Sequence, residues 1–173
     1  TRNLSQSSGI PIEVTLDEQA QRLRPEVEAE LFRITQEALN NAVKHAECRT
    51  IRVHCQVAAP YAAITVADDG KGLNLAAIRQ KAVQRGLASQ ADVDRMTDAQ
   101  VAKFIFDAGF STAAAVTSVS GRGVGMDVVK TNIETIGGLI DIATTAGRGT
   151  TFTIKIPLTL AIVAALIVRA GEH

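Results

Sequence analysis

Two short runs of strict alternation constrain the fold more than any other feature: Ile51-Arg52-Val53-His54-Cys55-Gln56-Val57 and Ala63-Ile64-Thr65-Val66-Ala67, separated by a loop around Pro60-Tyr61. Alternation of period two gives each run one apolar face, and the short connection predicts an antiparallel hairpin. A lone hairpin is marginal in water, so its apolar face needs more strands and a covering layer.

The cover is visible upstream. Pro25 followed by Glu26, Glu28 and Glu30 marks a helix start, because proline suits the first helical position and acidic groups complement the amino-terminal dipole. Val27, Leu31, Ile34, Ala38, Ala42 and Ala46 then recur every three or four positions, which predicts a helix to about Ala46 packed on a sheet. Ahead of it, after a polar Gly/Pro-punctuated lead, Ile12-Glu13-Val14-Thr15-Leu16 reads as an edge strand. Downstream, Asn74 to Gly86 is helical in pattern, and Thr97 caps a second short helix reaching Phe106. From Asp107 to Gly125 no period survives, and a run that long without structure is expected of a lid. Helical periodicity resumes from Met126 to Ile136 and stops at Gly137-Gly138. Two strands follow, Leu139 to Thr144 and Thr151 to Pro157, around Gly147-Arg148-Gly149, and the apolar tail is expected to add another. These elements predict an α/β two-layer sandwich, a mixed sheet with helices on one face, in a single domain over residues 1–173.

Composition narrows the function. Eighteen basic residues balance 18 acidic ones, which argues against an electrostatic nucleic-acid footprint or a polybasic membrane anchor. One Tyr, five Phe and no Trp leave few stacking platforms for single strands. The longest apolar stretch, Leu158 to Val168, is about half of the ~20 residues a membrane helix needs, so no membrane insertion is expected. The chain opens at Thr1 without a charged-then-apolar leader, so a cytoplasmic setting is expected, as part of something larger. Cys48 and Cys55 are read as reduced, and a zinc site with His45 and His54 is disfavoured because alternation puts His54 and Cys55 on opposite strand faces.

Four constellations carry possible chemistry. Glu37, Asn41 and Lys44 share one helical face, where a carboxylate can polarise a hydroxyl or water, an amide oxygen can ligate Mg²⁺, and an ammonium can neutralise phosphate. A solvated polar stripe is the plainer alternative. Asp68-Asp69-Gly70-Lys71-Gly72 ends an apolar strand, so Asp68 can accept from an exocyclic amine while Gly70 and Gly72 admit a ligand close to the backbone. An Asx turn is its alternative, and the calcium-loop spacing is absent. Gly121, Gly123 and Gly125, opening a helix, offer amides and a helix amino terminus to an anion, with phosphate the natural guest. A dinucleotide loop would need GxGxxG after a buried strand, and neither is present even though Asp141 lies at a suggestive offset. The fourth, Gly147-Arg148-Gly149-Thr150-Thr151, reads by itself as a hairpin turn.

The order of the four resembles the ATP-binding catalytic domain of bacterial histidine kinases, in the wider group that includes gyrase-type and chaperone ATPases. Glu37 to His45 looks like that family's N box, and Asp68 to Gly72 like its first glycine box. Phe104 to Thr112 looks like its phenylalanine-rich box, Gly121 to Gly125 its second glycine box and Gly147 to Thr151 its last. The halves resemble different branches. Residues 1 to about 67, notably Leu31 to Ala46, are similar to the nitrate-sensor and desaturase-regulator type. Residues from about 68 on, in Gly109-Phe110-Ser111-Thr112, Val119 to Val129 and Thr150 to Leu160, are similar to the chemotaxis kinase. A seam near Asp68-Asp69-Gly70 is expected of an engineered chimera, in which Glu37 stands where the chemotaxis branch usually has His.

The resemblance implies a Bergerat-type ATP-binding fold with ATP and Mg as cofactors. It implies that Asp68 binds the adenine amine, that Asn41 ligates Mg²⁺ and that Glu37 is the general base. Lys44 would contact phosphate, Gly121, Gly123 and Gly125 would shape the lid, and Thr150 would support the adenine pocket. The implied reaction is γ-phosphoryl transfer to a histidine. No substrate histidine is placed among His45, His54 and His173, so the phosphoacceptor domain is expected in trans, with little autophosphorylation by a monomeric chain. A stand-alone ATPase and a binding-only scaffold are the alternatives.

Overall fold

In the computed structural model, the structure describes residues 2–18, 23, 25–110 and 125–158. The elements run α1 (Arg2–Ser8), β1 (Ile12–Glu18), α2 (Pro25–Asn41) continued by a π-helical turn (Ala42–Ala46), β2 (Ile51–Ala58) and β3 (Tyr61–Asp68). Then come α3 (Leu75–Gln84), α4 (Gln90–Arg95), α5 (Asp98–Ala102) tightening into a 3₁₀ turn (Lys103–Phe106), α6 (Met126–Thr135), β4 (Leu139–Thr145) and β5 (Gly149–Pro157).

The five strands form one mixed sheet in the order β1-β2-β3-β5-β4. β1 is the expected edge strand and runs parallel to β2, while the other pairings are antiparallel. Alternation works as predicted: Ile51 and Val53 on β2, Ile64 and Val66 on β3, and Phe152, Ile154 and Ile156 on β5 are all buried. They meet the α2 stripe of Val27, Leu31, Ile34 and Ala38, together with Val129 and Ile133 of α6, in one core. Each of these side chains except the smaller Ala38 contributes roughly 1.5–3 kcal/mol by leaving water, so this seam is the main adhesive between the layers. A second small core of Ile78, Ala82, Val93, Val101 and Phe110 lies beneath α3, α4 and α5.

Local signals set the helix starts. The Asn74 side chain accepts from the Ala77 amide at 3.0 Å. At α5 a full capping box forms, Thr97 Oγ1 accepting from the Gln100 amide at 3.3 Å and Gln100 Oε1 from the Thr97 amide at 2.8 Å. Three features depart from the sequence expectation. The polar lead folds as α1, closed locally by Ser8 Oγ donating to the Leu4 carbonyl at 2.8 Å and Ser5 Oγ to the Ile10 carbonyl at 2.9 Å. α4 lies between the two expected helices, in a stretch to which the sequence assigns no element, capped by Ser89, whose hydroxyl accepts from the Asp92 amide. β5 starts at Gly149, two residues early, because Thr145 and Gly149 already pair across the turn. Residues 111–124 of the expected lid and the apolar tail beyond Leu158 lie outside the described residues.

Candidate functional site

β3 delivers Asp68 to the helix side of the sheet, two residues beyond buried Val66. Its Oδ1 accepts from the Gly70 amide at 2.9 Å and from the Thr150 amide at 3.3 Å. Burial pushes the Asp68 carboxyl above the ordinary carboxylate range, the two amides pull it back, and the neighbouring Asp69 charge adds to the rise. The aspartate therefore closes an Asx-type turn, the plainer of its two sequence readings, and is at the same time a partly desolvated acceptor.

The glycines around it are needed for contact. A Cβ on Gly70 would run into the main-chain carbonyl of Ala46, and the next amide, Lys71, donates to that same carbonyl at 2.8 Å. The Lys71 carbonyl in turn accepts from Gly147 at 2.9 Å. The Asp68–Gly72 loop is thereby sewn between the end of α2 and the β4–β5 turn. Gly149, at φ +99°, approaches the Asp68 carbonyl so closely that a side chain there would collide with it.

On α2, Glu37 and Asn41 are a turn apart, and the Asn41 amide group hydrogen-bonds to the Glu37 carboxylate. Burial raises the Glu37 pKa above the ordinary range, and Lys44, the Asn41 bond and His45 oppose it in that order. The helix departs from the expected α geometry here: residues 42–46 form a π turn ending in Glu47, which adopts φ 53°. Such turns recur at functional sites because they reset the helical phase where side chains must converge. Lys44 remains exposed yet within electrostatic reach of Glu37. Asn41 Nδ2 also donates to Met126 Sδ at 3.4 Å, which ties α2 to the first residue of α6. With the amide nitrogen turned to Glu37 and Met126, Asn41 Oδ1 has no hydrogen-bond partner among the described residues. A hard carbonyl oxygen of that kind suits Mg²⁺, which takes few protein ligands when phosphates supply the rest.

Gly125 is the N-cap residue of α6, with no side-chain cap. Gly121 and Gly123 lie outside the described residues. Thr150 is buried, 6% exposed, and lies on the helix side two residues before Phe152. The structure thus gathers Asp68, Gly70, Gly72 and Thr150 into one cluster and Glu37, Asn41 and Lys44 into another, joined through the Ala46 carbonyl.

Three contributors went unnoticed in the sequence. Asp69 Oδ1 accepts from the Arg49 amide at 2.8 Å and the Thr50 amide at 2.9 Å, pinning the start of β2 to the end of β3. The doubled aspartate was the available signal. Asp127 Oδ2 accepts from the Gly109 amide at 3.0 Å, which holds α6 to the end of the α5 region. Thr144 accepts from the Leu73 amide at 2.9 Å and touches Thr150, contacts that follow from register and leave no mark in composition.

The fold is that of histidine kinase catalytic domains. Full-length ShkA in complex with AMPPNP matches over 92% of this chain and 28% of its own, with a TM-score of 0.61 and 21% identity. The catalytic domain of histidine kinase ThkA matches over 91% of this chain and 84% of its own, at 0.55 and 16%. The family described as histidine kinase-, DNA gyrase B- and HSP90-like ATPase matches residues 26–160, and the chain belongs to it. Curated relatives include the sensor histidine kinase CheAY of Helicobacter pylori, 52% identical over 110 residues, 64% of this chain and 14% of that protein. The chemotaxis protein CheA of Salmonella typhimurium is 54% identical over 110 residues, 63% of this chain and 16% of the relative. The chain therefore spans under a fifth of the length of these relatives.

Proposed function

We propose that this chain is the catalytic unit of a protein-histidine kinase: it binds ATP or ADP with Mg²⁺ and transfers the γ-phosphoryl group to a histidine on another domain. The observation that carries the reading is the Asp68 carboxylate, partly buried, fixed by the amides of Gly70 and Thr150, and facing the same layer as the Glu37–Asn41 helix face. Asp68 accepts from the exocyclic amine of adenine, with Gly70 and Gly72 admitting the base against the backbone and Thr150 lining the pocket. Asn41 Oδ1 is the Mg²⁺ ligand, and Lys44, Gly121, Gly123 and Gly125 serve the phosphates. Bound Mg²⁺ supplies charge neutralisation on the phosphate oxygens.

In the transfer, the bond from the γ-phosphorus to its bridging oxygen breaks and leaves with ADP, while a bond forms from the phosphorus to an imidazole nitrogen. Glu37 takes the imidazole proton. Its buried setting supports that role, since a carboxylate raised above the ordinary range is the stronger base. The same carboxylate favours one second reading, a stand-alone ATPase in which Glu37 activates water.

The acceptor histidine comes in trans, the chain acts as a monomer, and its setting is cytoplasmic. Among the described residues no helix is long and apolar enough to cross a membrane. The chain is further read as a chimera of two histidine-kinase branches joined near Asp68, on the branch likenesses of its two halves. The test combines calorimetric titration of ADP and Mg²⁺ with a transfer assay onto a supplied histidine phosphotransfer domain. Saturable binding, lost in Asp68→Asn, with label appearing on the acceptor, is expected. Steady phosphate release without labelled acceptor would select the ATPase, and no binding by the folded protein would overturn both.

A further inference from the structure

Thr144 on β4 makes three contacts through one hydroxyl. Its Oγ1 accepts from the Leu73 amide at 2.9 Å, donates to the Gly149 carbonyl at 3.2 Å and lies 3.3 Å from Thr150 Oγ1. A hydroxyl has one proton and two lone pairs. The Leu73 amide can only donate and the Gly149 carbonyl can only accept, so Thr144 spends its proton on Gly149 and one lone pair on Leu73. All three bonds coexist only when Thr150 gives its own proton to the remaining lone pair of Thr144.

That choice has a consequence at the base pocket, and it rests on the adenine-site reading above. Once its proton is committed to Thr144, Thr150 Oγ1 offers lone pairs alone. The same residue is tied to Asp68 through its main chain, the Thr150 amide donating to Asp68 Oδ1 at 3.3 Å, and the Asp68 carboxylate is likewise an acceptor. Gly72, at φ +74°, has no side chain to separate the loop from this network; a Cβ there would stand 3.1 Å from Thr144 Oγ1. We propose that Thr144 is a positioning residue for base specificity: by taking the Thr150 proton it makes the Asp68–Thr150 edge acceptor-only, so that a purine bearing an amine is selected over one bearing a carbonyl oxygen. A carbonyl on the base would meet lone pairs on both sides, whereas an amine has a proton for each.

The test compares ADP with IDP, which carries a carbonyl where ADP has the amine, by calorimetric titration on the full chain. The wild type should prefer ADP. Thr144→Val keeps the shape and frees the Thr150 proton to turn toward the ligand, and the ADP-to-IDP preference should fall by about fivefold, the effect of one hydrogen bond reversed. Thr144→Ser, which restores the hydroxyl, should recover the wild-type preference. Should the valine variant fail to fold, Thr144→Ala carries the same expectation with less strain. A folded valine or alanine variant that binds ADP with unchanged preference overturns the proposal and leaves the adenine site standing. Weakening of both nucleotides in equal proportion does the same, because a purely structural role moves affinity and not preference. Failure of the wild type to bind ADP at all overturns the adenine-site reading itself.

Discussion

Asp68 and Thr150, 82 positions apart in the chain, meet through the Thr150 amide and Asp68 Oδ1 at 3.3 Å, which joins the end of β3 to the start of β5 beneath the helical layer. Burial holds the Asp68 pKa above its ordinary value, so the folded state binds this proton more tightly than the unfolded chain does. By linkage, the unliganded protein loses stability as pH rises from the unfolded pKa through the folded one. Asp68→Asn keeps an oxygen for the two amides and removes the charge. Its melting temperature at neutral pH should equal or exceed that of the wild type, while ADP affinity falls by about tenfold or more, the scale of a hydrogen bond to a charged group. Differential scanning calorimetry beside the titration checks both, and a variant that loses stability and binding together would assign Asp68 a structural role.

Asp69 titrates in the opposite direction. The Thr50 and Arg49 amides hold its pKa below the ordinary value, so its stabilisation is present above the unfolded pKa and lost as pH falls through the folded one. Asp69→Ala should therefore lower the melting temperature at pH 7 and change it little near pH 2. Equal shifts at both values would refute the assignment.

The contrast between neighbours shows what was legible from sequence. The α2 stripe, the two hairpins and the cap at Thr97 were readable because periodicity and capping are local. α1 and α4 were not, since seven and six residues are too short to show a stripe, and local serine bonds hold their ends. The parallel pairing of β1 with β2 and the placement of β5 between β3 and β4 arise from the whole sheet rather than from any strand. In the site, Glu37, Asn41 and Asp68 announce themselves by residue type and position. Thr144 acquires its role only through register with Thr150, and the π turn at 42–46 has no motif that sets it apart from the α-helix it continues.

Gly70 tests the seam between the Asp68 loop and α2. Its added Cβ would meet the Ala46 main-chain carbonyl, which cannot swing aside as a side chain would. Gly70→Ala should force the loop off α2, breaking the Lys71 amide bond to Ala46 and costing about 1–3 kcal/mol, as overpacking does. Gly86→Ala is the control, because its φ of +70° carries strain but nothing lies within 4 Å of the added atom. ADP binding should weaken in the first variant and persist in the second, as read by titration at equal folded fraction.

Glu37 separates binding from chemistry. Its carboxylate bonds to Asn41 and answers to Lys44, yet under the proposed mechanism it touches the acceptor and not the base. Glu37→Gln keeps the shape and removes the proton acceptor, so ADP affinity should change less than about threefold while transfer slows by roughly 10²- to 10⁴-fold, the range for a lost general base. Because burial raises the Glu37 pKa, the wild-type rate should climb with pH through a midpoint above the ordinary carboxylate value of 4.5, and that limb should vanish in the variant. A rate that keeps the same pH limb after substitution would move the base elsewhere, and His45, in the π turn that continues α2 and within electrostatic reach of Glu37, would be the next group to replace.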